Sequence, residues 1–357
     1  MTGTTVCAIT VALLSVAMMV LSPYERYLLK CWAFYPIYKF VIGGFHKFDQ
    51  NINGYFYLNP LVNPPERIAA ARAYEPDSDD LFFTAYPKSG THALGFMMVH
   101  LLSGGKQCTT GCDLREFVTA AEFAADHGMD LDDARDAYAT VPRLIGTHMP
   151  AHHMRVVGSE ARYLVIVRDP VAVLQSLRTM HFFLFGPVLR QSLDEFVALH
   201  TDGSERDTGW ADHVHGWWRL RALPNVRIIF YEDLVAEPEQ TVRTVAEFVG
   251  RELDAGLLDI VTERMSKDWT IRHCDVTTEA STPFSPPAAF RKEIGSASTF
   301  IVNSTKFFSV KGADRFSLAQ ESIIRSSAWA KMLALDAGGG TDGADFIKNR
   351  PYYFKNP

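Results

Sequence analysis

Residues 86–91, with the sequence YPKSGT, combine a lysine, two hydroxyl side chains and a glycine between a short apolar run and a helical pattern. A turn that joins a strand to a helix directs backbone N–H groups and the positive helix end at whatever lies above it. Gly90 permits close backbone approach, and Lys88 adds a positive charge. The spacing differs from the Walker A pattern, because the lysine precedes the glycine. These features favour a phosphate-binding turn, with a generic strand–helix turn and a solvated lysine as the alternative.

Three continuous apolar runs, at 81–86, 163–167 and 226–230, are candidates for the strands that position these residues. Runs that do not alternate with polar residues are typical of parallel strands covered on both faces. A helical pattern follows each run, and Asp169 and Pro170 suit the N-cap and the first position of one such helix. The sequence therefore predicts an α/β fold: a single doubly wound domain with a central, mostly parallel sheet and a P-loop-like phosphate-binding turn.

Five segments, taken in chain order, resemble the PAPS-dependent sulfotransferase family, and its cytosolic type in particular. They are YPKSGT at 86–91, PRLIGTHMP at 142–150, YLVIVRDPVAVLQS at 163–176, GWADHVHGWW with NVRIIFYEDL between 209 and 234, and FRKEIG at 290–295. Five blocks in this order are more specific than any single motif. The resemblance implies 3′-phosphoadenylyl sulfate (PAPS) as co-substrate and in-line transfer of its sulfuryl group to a hydroxyl or amine of a small-molecule acceptor.

The resemblance also implies a role for each matching residue. The residues implied to hold the 5′-phosphosulfate are Lys88, Ser89, Gly90 and Thr91, and Lys88 would also neutralise charge on the bridging oxygen. The residues implied to bind the 3′-phosphate are Arg168, Ser176, Arg291 and Lys292. Tyr231 would line the nucleotide site, and His148 would take the proton from the acceptor hydroxyl. These roles agree with the needs of such a transfer, which are positioning, charge stabilisation and a base of suitable pKa.

Simpler interpretations stay open for several of these residues when each is taken alone. His148 is one of three histidines within 148–153, and any of the three could be a polar loop residue. Arg168 could pair with Asp169 at a helix start, and two adjacent basic residues such as Arg291 and Lys292 are more often a surface pair than a phosphate clamp.

The chain departs from the family pattern near the predicted site. Ala93 stands where the family has a tryptophan that stacks on the adenine, and the loss of a stack costs on the order of 1–3 kcal/mol. Gly146 replaces a lysine before the catalytic histidine, and Glu293 replaces the glycine of the RKG segment. Either another aromatic residue supplies the stacking or the nucleotide binds more weakly. These departures also support one alternative, a membrane-held nucleotide- or lipid-binding protein without turnover; a P-loop kinase is disfavoured by the missing Walker A spacing.

The first 45 residues differ in composition from the rest of the chain. They carry a net charge of +2 within a total of −6, and no charged side chain precedes Glu25. The apolar stretch 6–21, followed by interleaved aromatic residues and lysines at 27–45, is typical of a membrane anchor with an interfacial belt. Its basic residues predict a catalytic domain on the cytoplasmic side. A buried N-terminal helix and a cleaved signal peptide are the alternatives.

Composition also limits the organisation and the ligands. The chain has 357 residues, 47% of them hydrophobic and 21% charged, which excludes a disordered chain. Its negative net charge argues against a nucleic-acid partner. Cys108 and Cys112 are closely spaced, but no second pair of cysteines completes a zinc site, so no metal site is predicted. The expected organisation is an N-terminal segment at 1–45, a linker at 46–80, a sulfotransferase domain at 81–310 and a C-terminal extension at 311–357. The apolar stretch 180–188 hints at an apolar acceptor.

Overall fold

The computed structural model describes residues 50–52, 55–57, 65–107, 109, 114, 117–121, 142–185, 192–201, 209–273 and 315–355. Its strands are β1 (Gln50–Ile52), β2 (Tyr55–Tyr57), β3 (Asp80–Ala85), β4 (Val118–Ala120), β5 (Arg143–Thr147), β6 (Arg162–Val167) and β7 (Val226–Phe230). Its α-helices are α1 (Pro65–Ala73), α2 (Thr91–Ser103), α3 (Pro170–Phe185), α4 (Leu193–Leu199), α5 (Trp210–Trp218), α6 (Tyr231–Ala236), α7 (Pro238–Val249), α8 (Ala255–Arg264), α9 (Lys267–His273), α10 (Leu318–Ala334) and α11 (Asp342–Asn349). Short 3₁₀ helices lie at Ala151–His153 and Pro351–Tyr353.

Strands β3 to β7 form a parallel sheet in the order β4-β5-β3-β6-β7, while β1 and β2 pair as an antiparallel hairpin. Thr84 of β3 pairs with Thr147 of β5, and Ala85 pairs with Ile166 of β6. This register brings the carboxyl ends of the three central strands level with one another. Because the chain passes from β3 to β4 on one side of the sheet and from β6 to β7 on the other, the ends of β3 and β6 lie at the position where open α/β sheets bind ligands. The predicted α/β fold with a parallel sheet is confirmed.

Both faces of the sheet are buried, which explains the continuous apolar runs. Phe82 points into one core, and its neighbours Leu81 and Phe83 point into the other. The first core is completed by residues of α5, α10 and α11, and the second by residues of α2, α7 and α8. Trp217 and Trp218 of α5 are buried in the first core and contribute to its packing.

Local sequence signals set the starts of the helices that carry the site. The Asp169 carboxylate accepts a hydrogen bond of 2.9 Å from the Ala172 amide, and Pro170 is the first residue of α3, as the sequence predicts. Helix α2 begins at Thr91 directly after Gly90 and ends at Ser103, and the following Gly104 adopts the left-handed conformation common at helix ends.

Two segments that flank the sheet contain secondary structure that the sequence does not predict. Part of the predicted linker forms the β1–β2 hairpin and α1, since Pro65 suits the first helical position and the following alanines favour a helix. Part of the predicted C-terminal extension forms α10 and α11 and packs into the first core, with Phe346 fully buried. The outer limits of the predicted domain, 81–310, stay a prediction because 274–314 lie outside the described residues.

A glycine-rich connection joins α10 tightly to α11. Both oxygens of the Asp336 carboxylate accept hydrogen bonds of 2.9 Å, one from the Gly343 amide and one from the Ala344 amide. A Cβ atom at position 343 would lie 2.1 Å from the carbonyl oxygen of Met332, so a glycine is required for this approach. The two C-terminal helices therefore pack as a unit on the sheet.

No described helix is long and apolar enough to span a bilayer, and the predicted anchor at 1–45 lies outside the described residues.

Candidate active site

The turn between β3 and α2 has an unusual backbone. The Ser89 amide donates a hydrogen bond of 3.1 Å to the Tyr86 carbonyl, which closes the turn. Within it, Lys88 has a φ of 71° and Gly90 a φ of 112°. A residue with a side chain at positive φ costs about 1–2 kcal/mol, and such strain is concentrated at functional sites. The strained conformation of Lys88 therefore marks this turn as a candidate ligand site.

The start of α2 offers hydrogen-bond donors to a ligand. No side chain caps the helix at Gly90, and the first intrahelical bond runs from the Leu94 amide to the Gly90 carbonyl. The amides of the first turn thus have no partner within the helix. The Ser89 hydroxyl is fully buried and has no hydrogen-bond partner in the described part of the chain. Donors without partners beside the positive helix end are suited to an anion.

Arg168 and Tyr231 close the other side of the turn. Arg168 follows β6 and donates from Nη1 to the Lys88 carbonyl at 2.9 Å, with its guanidinium 4.3 Å from the centre of the Tyr231 ring. Its Nε is buried and has no hydrogen-bond partner among the described residues. A Cβ atom at Gly90 would lie 2.6 Å from the Tyr231 ring, so glycine allows the turn and the ring to meet. A second cationic donor therefore faces the same space.

His148 follows β5 and lies beside the end of β3. Its Nδ1 is 2.7 Å from the carbonyl oxygen of Ala85. Because a carbonyl oxygen can only accept, the neutral imidazole must carry its proton on Nδ1, and the lone pair then lies on Nε2. The hydrogen bond to Ala85 thus fixes the tautomer in which Nε2 is the basic nitrogen.

Burial lowers the pKa values of the basic groups at this edge. Loss of solvation, followed by the charge of Arg168, lowers the pKa of Lys88 from 10.5 to about 8. Loss of solvation lowers the pKa of His148 to about 4, with a smaller effect of the Lys88 charge in the same direction and an opposing effect of the Ala85 carbonyl. Burial and the same lysine lower the pKa of His92 to about 3. A bound anion would oppose each of these shifts.

The structure brings together seven of the residues named from the sequence at the carboxyl ends of β3, β5, β6 and β7: Lys88, Ser89, Gly90, Thr91, His148, Arg168 and Tyr231. Ser176 lies about two turns into α3 and is partly exposed. Arg291 and Lys292 lie outside the described residues.

The sequence does not predict His92 as a site residue. It is the second residue of α2, and its Nε2 is buried with no hydrogen-bond partner in the described ranges. Its position directly after the YPKSGT turn was the available signal. Gly146 has a packing explanation, because a Cβ atom there would lie 3.0 Å from the Phe83 ring. His92 is therefore an additional candidate site residue. The absence of the family's lysine at position 146 is explained by the lack of space beside the Phe83 ring.

A comparison of the sequence with known families decides the class of the protein. The sulfotransferase domain matches residues 78–292, which are more than half of the chain. The chain belongs to the sulfotransferase domain family. The predicted enzyme class, a sulfotransferase, is confirmed by this membership.

Individual sulfotransferases are distant relatives of the chain. Sulfotransferase 1C2 of Rattus norvegicus is 26% identical over 209 residues, which cover 56% of this chain and 69% of that protein. The 3-alpha-hydroxysteroid sulfotransferase of Cavia porcellus is 27% identical over 192 residues, covering 51% of this chain and 63% of that protein. The crystal structure of retinol dehydratase in complex with retinol and PAP has a TM-score of 0.52 at 15% identity and covers 83% of this chain and 97% of that one. This likeness shows a shared fold.

Proposed function

We propose that the protein transfers the sulfuryl group of PAPS to a hydroxyl or amine of a small, apolar acceptor, with His148 as the general base. One observation carries the proposal: an uncapped helix start with a buried, partnerless hydroxyl at Ser89 lies beside Arg168 and a histidine whose basic nitrogen is defined. Anion-binding donors and a base at one sheet edge are the parts that in-line transfer needs.

The residues present fit the phosphosulfate end of PAPS. The Ser89 hydroxyl and the first amides of α2 are donors that lack acceptors, and phosphate and sulfate oxygens are acceptors. The buried Nε of Arg168 is a further donor for the 3′-phosphate, for which Ser176, Arg291 and Lys292 remain proposed ligands. Tyr231 would hold Arg168 in place through the contact of its ring with the guanidinium. PAPS, when bound, supplies the sulfuryl group and its leaving phosphate.

Lys88 and His148 would act on the charges that change during transfer. At neutral pH a lysine with a pKa of about 8 is mostly protonated, and a bound polyanion would raise that pKa further. Lys88 can therefore neutralise the leaving oxygen. His148 is neutral at that pH, so its Nε2 can accept the acceptor's proton, and the negative ligand would raise its low pKa toward the range of an effective base.

The acceptor is proposed to be an apolar alcohol or phenol. The apolar sequence at 180–188 supports this class. The names of two related proteins, a hydroxysteroid sulfotransferase and a retinol dehydratase with bound retinol, also refer to apolar alcohols. A panel of a simple phenol, a sterol alcohol, a long-chain alcohol and a sugar would separate this proposal from a polar acceptor.

The decisive experiment measures transfer from labelled PAPS to this panel with the wild type, His148→Gln and, as a matched control, His152→Gln. His152 is a neighbouring exposed histidine. We expect His148→Gln to lower kcat by about 10²–10⁴-fold, the usual contribution of a general base, with little change in PAP affinity. Full turnover in His148→Gln would remove this residue from the mechanism. Binding of PAP without transfer to any acceptor would favour the non-catalytic alternative.

We further propose that residues 1–45 attach the protein to a membrane, with the catalytic domain on the cytoplasmic side. The apolar run and the basic, aromatic stretch after it support this proposal. Release from membranes by high-salt or carbonate washing would contradict a spanning anchor.

A further inference from the structure

Two carboxylates directly follow the residues proposed to hold the nucleotide. Asp169 follows Arg168 at the end of β6, and Glu232 follows Tyr231 at the end of β7. The Asp169 amide donates a hydrogen bond of 3.0 Å to Oε1 of Glu232. This bond joins the ends of two neighbouring strands, so the backbone positions of Arg168 and Tyr231 depend on each other.

The C-terminal part of the chain binds both carboxylates from the side. Nη1 of Arg325, on α10, donates to Oδ2 of Asp169 at 2.7 Å and to the Tyr353 carbonyl at 2.6 Å. Tyr353 follows α11, and its hydroxyl donates to Oε2 of Glu232. Arg325, Tyr353, Glu232 and Asp169 thus form a closed ring of polar contacts, in which each C-terminal residue holds one strand end.

The surroundings make these contacts stronger than surface pairs. The Tyr353 side chain is fully buried, and the side chains of Arg325 and Asp169 are each 14% exposed. Burial, together with the charge of Glu232, raises the pKa of Tyr353, so its hydroxyl keeps the proton that it donates. Arg350 adds a more exposed contact at Asp233, the residue after Glu232, where Nη2 lies 2.5 Å from Oδ2 and the Asp233 side chain is 47% exposed. Ion pairs shielded from water are far less weakened by solvent than exposed ones.

We propose that Arg325 and Tyr353 are positioning residues for the nucleotide site, which hold Arg168 and Tyr231 in place through Asp169 and Glu232. The inference rests on the proposed function and adds to it a part of the chain beyond the matched domain, 78–292. Because coupling between two equilibria is reciprocal, nucleotide binding should in turn stabilise the packing of α10 and α11 on the sheet.

The test compares PAP affinity and kinetics in the wild type, Tyr353→Phe, Arg325→Lys and Arg325→Ala. Lys331→Gln is the matched control, because Lys331 lies on the same helix and pairs at 3.1 Å with Asp212 of α5. Calorimetry gives the PAP Kd of each protein well below its unfolding temperature. Steady-state assays give kcat and the KM for PAPS, and the double variant Tyr353→Phe/Arg325→Ala tests whether the two residues act as a unit.

We expect the PAP Kd to rise about fivefold in Tyr353→Phe and about tenfold in Arg325→Ala, the range of coupling seen between residues of one polar network. Arg325→Lys should recover part of the loss, the double variant should fall short of the product of the single effects, and Lys331→Gln should bind like the wild type. The KM for PAPS should rise while kcat stays close to that of the wild type. The nucleotide contacts that these residues support are expected to be equally strong in the ground state and the transition state, so their loss weakens binding without slowing the chemical step.

Unchanged PAP affinity in Tyr353→Phe and Arg325→Ala would overturn the inference, as would an equal loss in Lys331→Gln, which would indicate a general effect of stability. If Arg325→Ala does not fold, the nearly isosteric Tyr353→Phe decides alone. Absence of PAP binding in the wild type would instead refute the proposed function, and the inference with it. The two failures are therefore distinguishable.

Discussion

The buried polar groups at the two ends of the central sheet differ in whether they have hydrogen-bond partners within the chain. At the amino end, the Asp80 carboxylate accepts hydrogen bonds from the Tyr74 hydroxyl at 2.6 Å, from the Asp77 amide at 2.8 Å and from Arg143 Nε at 2.9 Å. The Arg143 side chain also donates to the Tyr74 hydroxyl, and the side chains of Asp80 and Arg143 are almost completely buried. The charges of Asp80 and Arg143 thus both have partners within the chain.

At the carboxyl end, buried donors are left without such partners. The Ser89 hydroxyl, the Arg168 Nε and the His92 Nε2 have no hydrogen-bond partner among the described residues, and Lys88 is held at positive φ. Leaving a buried polar group unsatisfied costs about 1–3 kcal/mol per group. The amino end therefore contributes to stability, whereas the carboxyl end keeps donors available for a ligand that the chain itself does not supply.

Acidification should act mainly on the carboxyl end, with the largest effect expected here. His92 and His213 have pKa values lowered to about 3, and His148 and His100 to about 4, in each case chiefly by burial. The unfolded chain binds protons near pH 6.5, so it is favoured as the pH falls from about 6.5 toward 4. Each histidine then lowers the free energy of unfolding by up to about 1.4 kcal/mol per pH unit. Urea unfolding at pH 7.5, 6 and 5 measures this slope.

Bound PAP should affect the protonation of His92 and His148 but not that of His100. A polyanion favours the protonated forms of His92 and His148, whereas His100 lies in the last turn of α2, away from the turn that begins the helix. We therefore expect PAP to reduce the acid slope in the wild type, and His100→Gln to reduce the slope that remains. A stability that is constant between pH 7.5 and 5 would contradict the buried, neutral state of these side chains.

Arg143→Leu should destabilise the protein strongly and leave nucleotide binding intact. Removal of one partner of a buried ion pair typically costs about 3–5 kcal/mol, because the other charge stays buried. Arg155→Leu is the control, since the Arg155–Glu75 pair is exposed, and its loss should cost about 0–1 kcal/mol. Denaturant unfolding and PAP calorimetry on both variants check the prediction. An increase in the PAP Kd of Arg143→Leu well below its unfolding temperature would show that the two ends are not independent.

The sequence predicts the carboxyl end better than the amino end, for a physical reason. The strand Val226–Phe230 and the N-cap at Asp169 are found where the sequence predicts them, and β3 and β6 begin one residue earlier. Buried parallel strands and helix starts depend on neighbouring residues, so they leave a local pattern. Asp80, by contrast, belongs to an acidic stretch typical of a linker, and its partner Arg143 is 63 residues away.

The C-terminal contacts were unpredictable for the same reason. Arg325 meets Asp169 across 156 residues, and Tyr353 meets Glu232 across 121. The tail that holds Phe346 and Tyr353 follows a glycine-rich segment, and their burial depends on the tight connection through Asp336. Pairs of this kind are determined by tertiary packing, which a single sequence does not reveal.

Ser89→Ala should have a small effect on stability and an opposite effect on PAP binding, so it separates the two roles of the sheet ends. Ser89→Ala removes a buried hydroxyl that has no partner in the described part of the chain, so stability should stay constant or rise by about 1 kcal/mol. Loss of a donor to a charged phosphosulfate should raise the PAP Kd about tenfold. Ser159→Ala is the control, because the Ser159 hydroxyl accepts from the Ala161 amide at 3.1 Å.

In the control, the hydroxyl already has its partner within the chain, so its removal should lower the free energy of unfolding by about 1 kcal/mol and leave the PAP Kd unchanged. The two substitutions should therefore change stability in different directions, and only Ser89→Ala should raise the PAP Kd. Thermal unfolding and calorimetry on the same preparations measure both. If Ser89→Ala lowered stability as Ser159→Ala is expected to, the hydroxyl of Ser89 would have a structural partner, and the carboxyl end would no longer differ from the amino end at this position.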